Sequence, residues 1–225
     1  MSLFVVATPI GNLEDLSFRA VRVLNEVEAI ACEDTRQTLK LLSRYNIHKK
    51  LISYYQPKEA QRIPGILSLL EDGKDVALVS DSGTPGISDP GFRLIREAIK
   101  RGIKIVPVPG PSALIAALSA SGLPTHRFLF VGFPPPKKEK TRKWLLSLKE
   151  EEATLIFYLP TRRLSDFLGL VEDALGNRNI VIAREISKIH EEFIRGDVHQ
   201  LSEKSAMITP KGEAVVLVQG NSPHK

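Results

Sequence analysis

The chain lacks most of what would staple, anchor or motorise it by a familiar route. Its 225 residues include one cysteine, Cys32, which excludes an intrachain disulfide framework and a cysteine-built zinc site. Its five histidines, His48, His126, His190, His199 and His224, show no metal-ligand spacing, so no metal is expected. There is no G-x-G-x-x-G after the first strand and no G-x-x-x-x-G-K-[ST], which removes support for the usual dinucleotide and P-loop sites. Neither G-x-S-x-G nor H-E-x-x-H occurs, which argues against a serine hydrolase and a zinc protease. The longest stretch free of Asp, Glu, Lys and Arg, Ile105 to His126, is broken by Pro107, Pro109, Gly110, Pro111, Gly122 and Pro124 before it reaches membrane-spanning length. The opening Met1-Ser2-Leu3-Phe4-Val5-Val6 carries no basic leader and does not read as a secretion signal. A soluble cytoplasmic chain without a membrane partner is expected.

What is present is ordinary in amount and informative in order. With 43% apolar and 25% charged residues the chain is globular, long enough for one large domain or two modest ones. A net charge of +5 and a pI near 9.3 allow a polyanionic partner without requiring one.

The first half alternates β-branched runs with helix-period segments. Strands are predicted at Leu3–Ala7, Glu28–Cys32, Lys49–Tyr54, Asp75–Ser80 and Ile103–Val108. Helices are predicted after Asp15 or Ser17, with Val21, Leu24 and Val27 on one face, and over Thr35–Arg44 with Leu39 and Leu42 inward. Others follow at Pro57–Leu70 with a kink near Pro64, at Phe92–Lys100 and at Ser112–Ser121. That alternation implies a mostly parallel sheet with helices on both faces, whose ligands sit beyond the carboxyl ends of the strands. The Gly/Pro-rich loops Pro9–Asn12, Asp81–Gly91 and Pro107–Pro111 fall at those ends.

The second half changes rhythm after 121. Strands are expected at Phe128–Gly132, Ala153–Tyr158, Asn179–Ile186, Glu191–Arg195 and Ala214–Val218, with helices at Lys138–Leu148 and Arg162–Leu175. The link between 184 and 192 is too short for a crossover helix, so those strands should pair antiparallel in a mixed sheet. The expected architecture is two α/β domains, residues 1–121 and 126–225, the first with a mostly parallel and the second with a mixed sheet.

Within this frame a few residues stand out. Asp81–Gly91 holds three glycines, two prolines and two aspartates in 11 residues, so a ligand can approach its main chain while Asp81 offers a fixed acceptor. Asp89 is either a ligand contact or the cap of the Phe92 helix, and Ser112 either a contact or a cap. Glu33-Asp34-Thr35-Arg36 sets two carboxylates beside an arginine at a strand end, where they either orient a polar substrate or cap a helix. Lys137-Lys138-Glu139-Lys140-Thr141-Arg142-Lys143 follows three prolines and carries five cations in seven residues. It suits phosphate-backbone contact, or it is a solvated helix face. Arg162, Arg163, Arg184 and Lys188 are candidates to extend it.

Together, Thr8-Pro9-Ile10-Gly11-Asn12-Leu13, Cys32-Glu33-Asp34-Thr35-Arg36, Ser80 to Gly91, Pro107–Ser112, Leu155–Leu159 and Lys211-Gly212-Glu213 resemble, in this order and over nearly the whole chain, the tetrapyrrole-methylase superfamily. Within it the chain is similar to the branch that methylates the 2′-hydroxyl of a cytidine in 16S rRNA of the small ribosomal subunit. The resemblance implies S-adenosylmethionine in a cleft between two domains, and a homodimer. It implies that Pro9, Ile10, Asp81, Gly83, Ser112 and Ala113 line the cofactor. Tyr158 and Leu159 would add backbone contacts, and Gly212, Glu213 and Ala214 would close the adenine side. Where small-molecule members carry G-x-G-D, this chain has Pro9-Ile10-Gly11-Asn12, which favours the RNA branch. Asp34, Asp89 and Glu185 are candidate proton acceptors for the ribose hydroxyl, with Arg36 as orienter, and Lys137, Lys138, Lys140, Arg142 and Lys143 candidate RNA contacts. The competing readings are a methyltransferase acting on a tetrapyrrole-like small molecule and a non-catalytic RNA- or ribosome-binding module.

Overall fold

A computed structural model describes residues 1–204 and 209–221; His224 lies outside the described residues. The chain forms two compact units, one of Met1–Ser112 and one from Ala113 onward.

The first unit runs β1 (Ser2–Val6), α1 (Phe18–Glu26), β2 (Ala29–Cys32), α2 (Thr35–Arg44), β3 (Lys50–Ser53), α3 (Glu59–Glu71), β4 (Val76–Val79), α4 (Phe92–Lys100) and β5 (Lys104–Val108). The strands form one sheet in the order β3-β2-β4-β1-β5, and every pair is parallel. The inner strands β2 and β4 are buried throughout. The outer strands begin on exposed Lys50 and Lys104. Pro107, which has no N–H to give to a ladder, is tolerated because β5 is an edge.

Alternation along β4 divides the core. Val76 and Leu78 face Ile66, Leu67 and Leu70 of α3 and Leu94 and Ala98 of α4. Ala77 and Val79 face Val23 and Leu24 of α1 and Leu41 and Leu42 of α2. Period-two side chains on a strand covered on both sides make such a run apolar throughout. Leu78 is fully buried, and truncating it to alanine would cost about 2–5 kcal/mol.

Several local expectations are corrected here. Ser17, not Asp15, caps α1 by accepting the Ala20 N–H at 3.1 Å. In α2 the inward stripe is Thr38, Leu41 and Leu42, while Leu39 is 52% exposed. A step of 3.6 residues per turn carries position 39 off that stripe. Pro64 lies inside α3, as expected, and its missing N–H leaves the Ala60 carbonyl without its helical donor.

The second unit runs α5 (Ala113–Ser121), β6 (Phe128–Gly132), α6 (Lys138–Leu146), β7 (Thr154–Pro160), α7 (Leu164–Leu175), β8 (Asn179–Arg184), β9 (Glu192–Asp197), α8 (Val198–Lys204) and β10 (Glu213–Val218). Its sheet has the order β6-β7-β10-β8-β9. β6 and β7 are parallel and the other pairs antiparallel, so the sheet is mixed, and β8 and β9 pair as their short link requires. One face, with Leu155, Phe157, Ile182 and Val216, packs on α6, α7 and α8. The other, with Ile156, Val181, Val215 and Leu217, is covered by Leu114, Ala117 and Leu118 of α5.

Helix α5 therefore groups with the second sheet, whereas the expected boundary at 121 left it with the first. Its small apolar residues complete a face that β7, β8 and β10 would otherwise leave bare. Helix α8 was not expected. It has seven residues, with Val198 and Leu201 buried, too few to show a helical period. No helix among the described residues is long and apolar enough to cross a membrane.

Candidate functional site

All five strands of the first sheet end on one edge, and the chain's unusual loops meet there. The main chains of Thr8 and Gly83 exchange hydrogen bonds, Thr8 N–H to Gly83 O at 2.8 Å and Gly83 N–H to Thr8 O at 3.0 Å. The Thr8 hydroxyl donates to Ser80 O at 3.0 Å. Gly83 has φ +80°, a conformation costly for any residue with a side chain, although a Cβ there would only touch Ile10 at 3.6 Å. The backbone shape, not the space, demands glycine. Thr84 Oγ1 donates to Pro111 O at 3.4 Å. At Gly110 an added Cβ would lie 3.1 Å from that of Ala7, so the loop before Ser112 passes close over the end of β1.

Asp81 connects this group to the loop after β2. Its Oδ1 accepts the Asp34 N–H at 3.0 Å. The structure thus gathers Pro9, Ile10, Asp81, Gly83, Ser112 and Asp34 on the carboxyl edge. Asp34 is a helix cap, accepting the Arg36 N–H at 2.8 Å, and its carboxylate also grips the Arg36 guanidinium at 3.1 and 2.7 Å. Arg36 holds it down at about 2, so Asp34 has little appetite for a proton.

Glu33 behaves oppositely. Burial, followed by the charges of Asp81, Asp89 and Asp34, raises its carboxyl to about 7. Burial and then Asp34 push Asp81 up as well, against the Asp34 N–H that steadies its charged form. Glu33 is the carboxyl here matched to proton exchange at neutral pH. Sequence reasoning named it only as part of the strand end, because nothing local in sequence reveals which other carboxylates it will face.

Asp89 is not the N-cap residue of α4. Gly91 takes the cap position with no side-chain bond, and its N–H is received by Glu59 Oε1 at 3.3 Å. Glu59 is 5% exposed and also pairs with Arg93 Nε at 3.6 Å. Gly91 has φ +150°, and a Cβ there would meet Gly86 N at 3.0 Å, so the far end of the Asp81–Gly91 loop is held tightly. In sequence Glu59 looks like any solvated helix charge.

A second gathering occurs on one edge of the second sheet. Tyr158, Leu159 and Pro160 of β7 pair with Val215, Ala214 and Glu213 of β10. Gly212 O accepts both the Thr161 N–H at 2.9 Å and the Thr161 hydroxyl at 3.0 Å. Leu159 and Ala214 bury their side chains in the core, so a ligand would meet only their main chain. Gly212 has φ +83°, and a Cβ on it would fall 2.6 Å from Glu185 Oε1. Its lack of a side chain makes room for that carboxylate, which Lys188 also holds at 3.0 Å. Ala113 opens α5 and packs at the margin of the core on the sheet's other face.

Lys137, Lys138, Lys140, Arg142 and Lys143 are all exposed, while Thr141 and Leu145 turn inward from α6. Lys138 is paired with Asp166 at 2.8 Å. Neither Arg163 nor Arg184 extends this surface. Arg163 donates to the carbonyls of Pro134 at 3.1 Å and Pro135 at 2.6 Å. Arg184 is buried against Glu192 at 2.9 Å and the Thr209 carbonyl at 3.0 Å. Arg162 remains exposed.

Residues 2–202 match the family of Tetrapyrrole (Corrin/Porphyrin) Methylases. The chain belongs to that family. Among curated relatives, a Hydrogenobaculum sp. protein named "Ribosomal RNA small subunit methyltransferase I" is 48% identical over 97% of this chain and 95% of its own length. A Thermotoga maritima protein of the same name is 44% identical over 97% of this chain and 98% of its own. Solved structures of this methylase fold are similar throughout. Diphthine synthase superposes with a TM-score of 0.74 at 15% identity, over all of this chain and 92% of that one. A cobalt precorrin-4 methyltransferase gives 0.70 at 15% identity, over 97% and 94%.

Proposed function

We propose that this chain transfers a methyl group from S-adenosylmethionine to the 2′-hydroxyl of a cytidine ribose in 16S rRNA of the small ribosomal subunit, working as a homodimer. The observation that carries the reading is the similarity, over nearly full length, to relatives named as small-subunit ribosomal RNA methyltransferases. The residues fit the cofactor chemically. A sulfonium and an ammonium are both cations, and the first sheet's edge gathers the carboxyls of Glu33, Asp34, Asp81 and Asp89, which interact by charge. Glycines at 83 and 212 expose main-chain groups to a ligand. Pro9, Ile10, Asp81, Gly83 and Ser112 would hold the methionine part, and Tyr158, Leu159, Gly212, Glu213 and Ala214, with Ala113, the rest.

The cofactor supplies an electrophilic methyl carbon. The chain's own task is to hold the ribose oxygen in line with it in a water-poor setting. A ribose hydroxyl is a weak nucleophile at neutral pH and gains from an acceptor for its proton. Glu33, near 7, suits that task better than Asp34, which Arg36 keeps ionised; Asp89 and Glu185 remain alternatives. Discrimination against DNA follows from the 2′-hydroxyl itself. The test is incubation with methyl-labelled cofactor and, in parallel, small ribosomal subunits, free 16S rRNA and a tetrapyrrole precursor. Label at a cytidine ribose is expected. Label on the tetrapyrrole, or cofactor binding without any transfer, overturns the reading.

A further inference from the structure

We propose that Phe133 is a stacking platform for an unpaired base of the RNA substrate, with Arg163 as the residue that positions it. This rests on the rRNA reading above and says which side chain would grip a base.

Phe133 is 45% exposed, and it is not a stray surface ring. It lies between Gly132, at φ +80°, and the run Pro134-Pro135-Pro136. Its ring stands against that of Tyr158 at 5.5 Å and 64°, and Tyr158 is braced in turn by Phe130 at 4.8 Å and 66°. A T-shaped contact covers at most one face of a ring, and at 45% exposure much of Phe133 remains in solvent beyond that contact. A single-stranded nucleic acid needs exposed ring surface for a base and cations for its phosphates. The cations follow directly as Lys137, Lys138, Lys140, Arg142 and Lys143, all exposed.

The spacing between ring and cations is held by one clamp. Arg163 binds the carbonyls of Pro134 and Pro135 at 3.1 and 2.6 Å, and the Thr141 hydroxyl, from α6 itself, donates to Pro135 O at 2.7 Å. The guanidinium fixes the proline turn and Thr141 ties that turn to the basic helix, so the arginine acts through the turn and not through phosphate. Tyr158, the ring touching Phe133, is also a residue assigned to the cofactor above.

The experiment measures affinity of the full chain for a single-stranded oligocytidylate and for an RNA duplex of equal length, across a salt series. Phe133→Ala is expected to weaken single-strand binding by about 5- to 100-fold, with duplex affinity and the salt dependence unchanged, because no phosphate contact is lost. Phe133→Tyr should restore single-strand binding, and Phe133→Ala should raise KM for small subunits without altering cofactor affinity. Arg163→Ala should weaken single-strand binding while Arg163→Lys recovers it only in part, since lysine cannot span two carbonyls in the same fork. Single-strand affinity unchanged in Phe133→Ala, or single-strand and duplex affinity falling together, overturns the stacking site. If small subunits are methylated normally by the unaltered chain, only this proposal falls. If the unaltered chain neither binds nor methylates them, the rRNA reading falls first.

Discussion

Replacing Glu33 by glutamine should make the protein more stable in mild alkali while changing little in mild acid. In the folded chain this carboxyl is raised from 4.5 to about 7, by burial and then by Asp81, Asp89 and Asp34. The native state therefore binds more protons than the unfolded chain between those values, and linkage makes stability fall as pH rises through them. The full difference between 4.5 and about 7 corresponds to about 3 kcal/mol at about 1.4 kcal/mol for each tenfold change in proton affinity. Glu33 is only part-buried, and water on its open side screens the effect to about 1–2 kcal/mol. Glutamine keeps the shape and has no proton to lose. Urea unfolding of both chains at about pH 4, below the unfolded value, and at about pH 8 should give equal free energies at the lower pH. At the higher pH Glu33→Gln should be ahead by about 1–2 kcal/mol. Equal stabilities at the higher pH, or a less stable Glu33→Gln, would show that the four carboxyls do not share one poorly solvated space.

Gly91→Ala should lose at least about 2 kcal/mol, seen as a lower Tm, because its Cβ would press on Gly86 N at 3.0 Å from a backbone at φ +150°; an unchanged Tm would contradict the packing described for that loop. Asp81→Ala should weaken S-adenosylmethionine binding severely, measured by calorimetry, and an unaltered Kd would remove Asp81 from the site. Combined Lys140→Glu and Arg142→Glu should reduce the slope of log affinity against log salt for small subunits by about 1–2, with cofactor affinity unchanged. A slope that stays the same would mean that these exposed cations touch no phosphate.

Much of the fold was legible because its signals are local. Continuous apolar strands such as 76–79, alternating with amphipathic helices, announced a parallel sheet. The short link between Arg184 and Glu192 left antiparallel pairing as the available geometry. The loops of the candidate site were visible for the same reason, since glycine at 83 and proline at 85, 90 and 107 write backbone shape directly into composition. The strand order β3-β2-β4-β1-β5 was not, because any of these apolar strands can pair with any other until whole helices are packed. The placement of α5 was hidden too, since a helix of small residues does not name the sheet it covers.

The site divides along the same line. Residue types and their order determined which loops could meet a ligand and which segment was basic, because φ preferences and charge are properties of the chain itself. Tertiary structure alone decided what each charged group does. Glu59 receives the N–H of Gly91 from 32 residues away, Arg163 reaches back 29 residues to Pro134, and Arg36 takes Asp34 out of proton exchange while Glu33 is raised into it. Charge interactions depend on distance and on the water that burial removes, and neither quantity exists until the chain has folded.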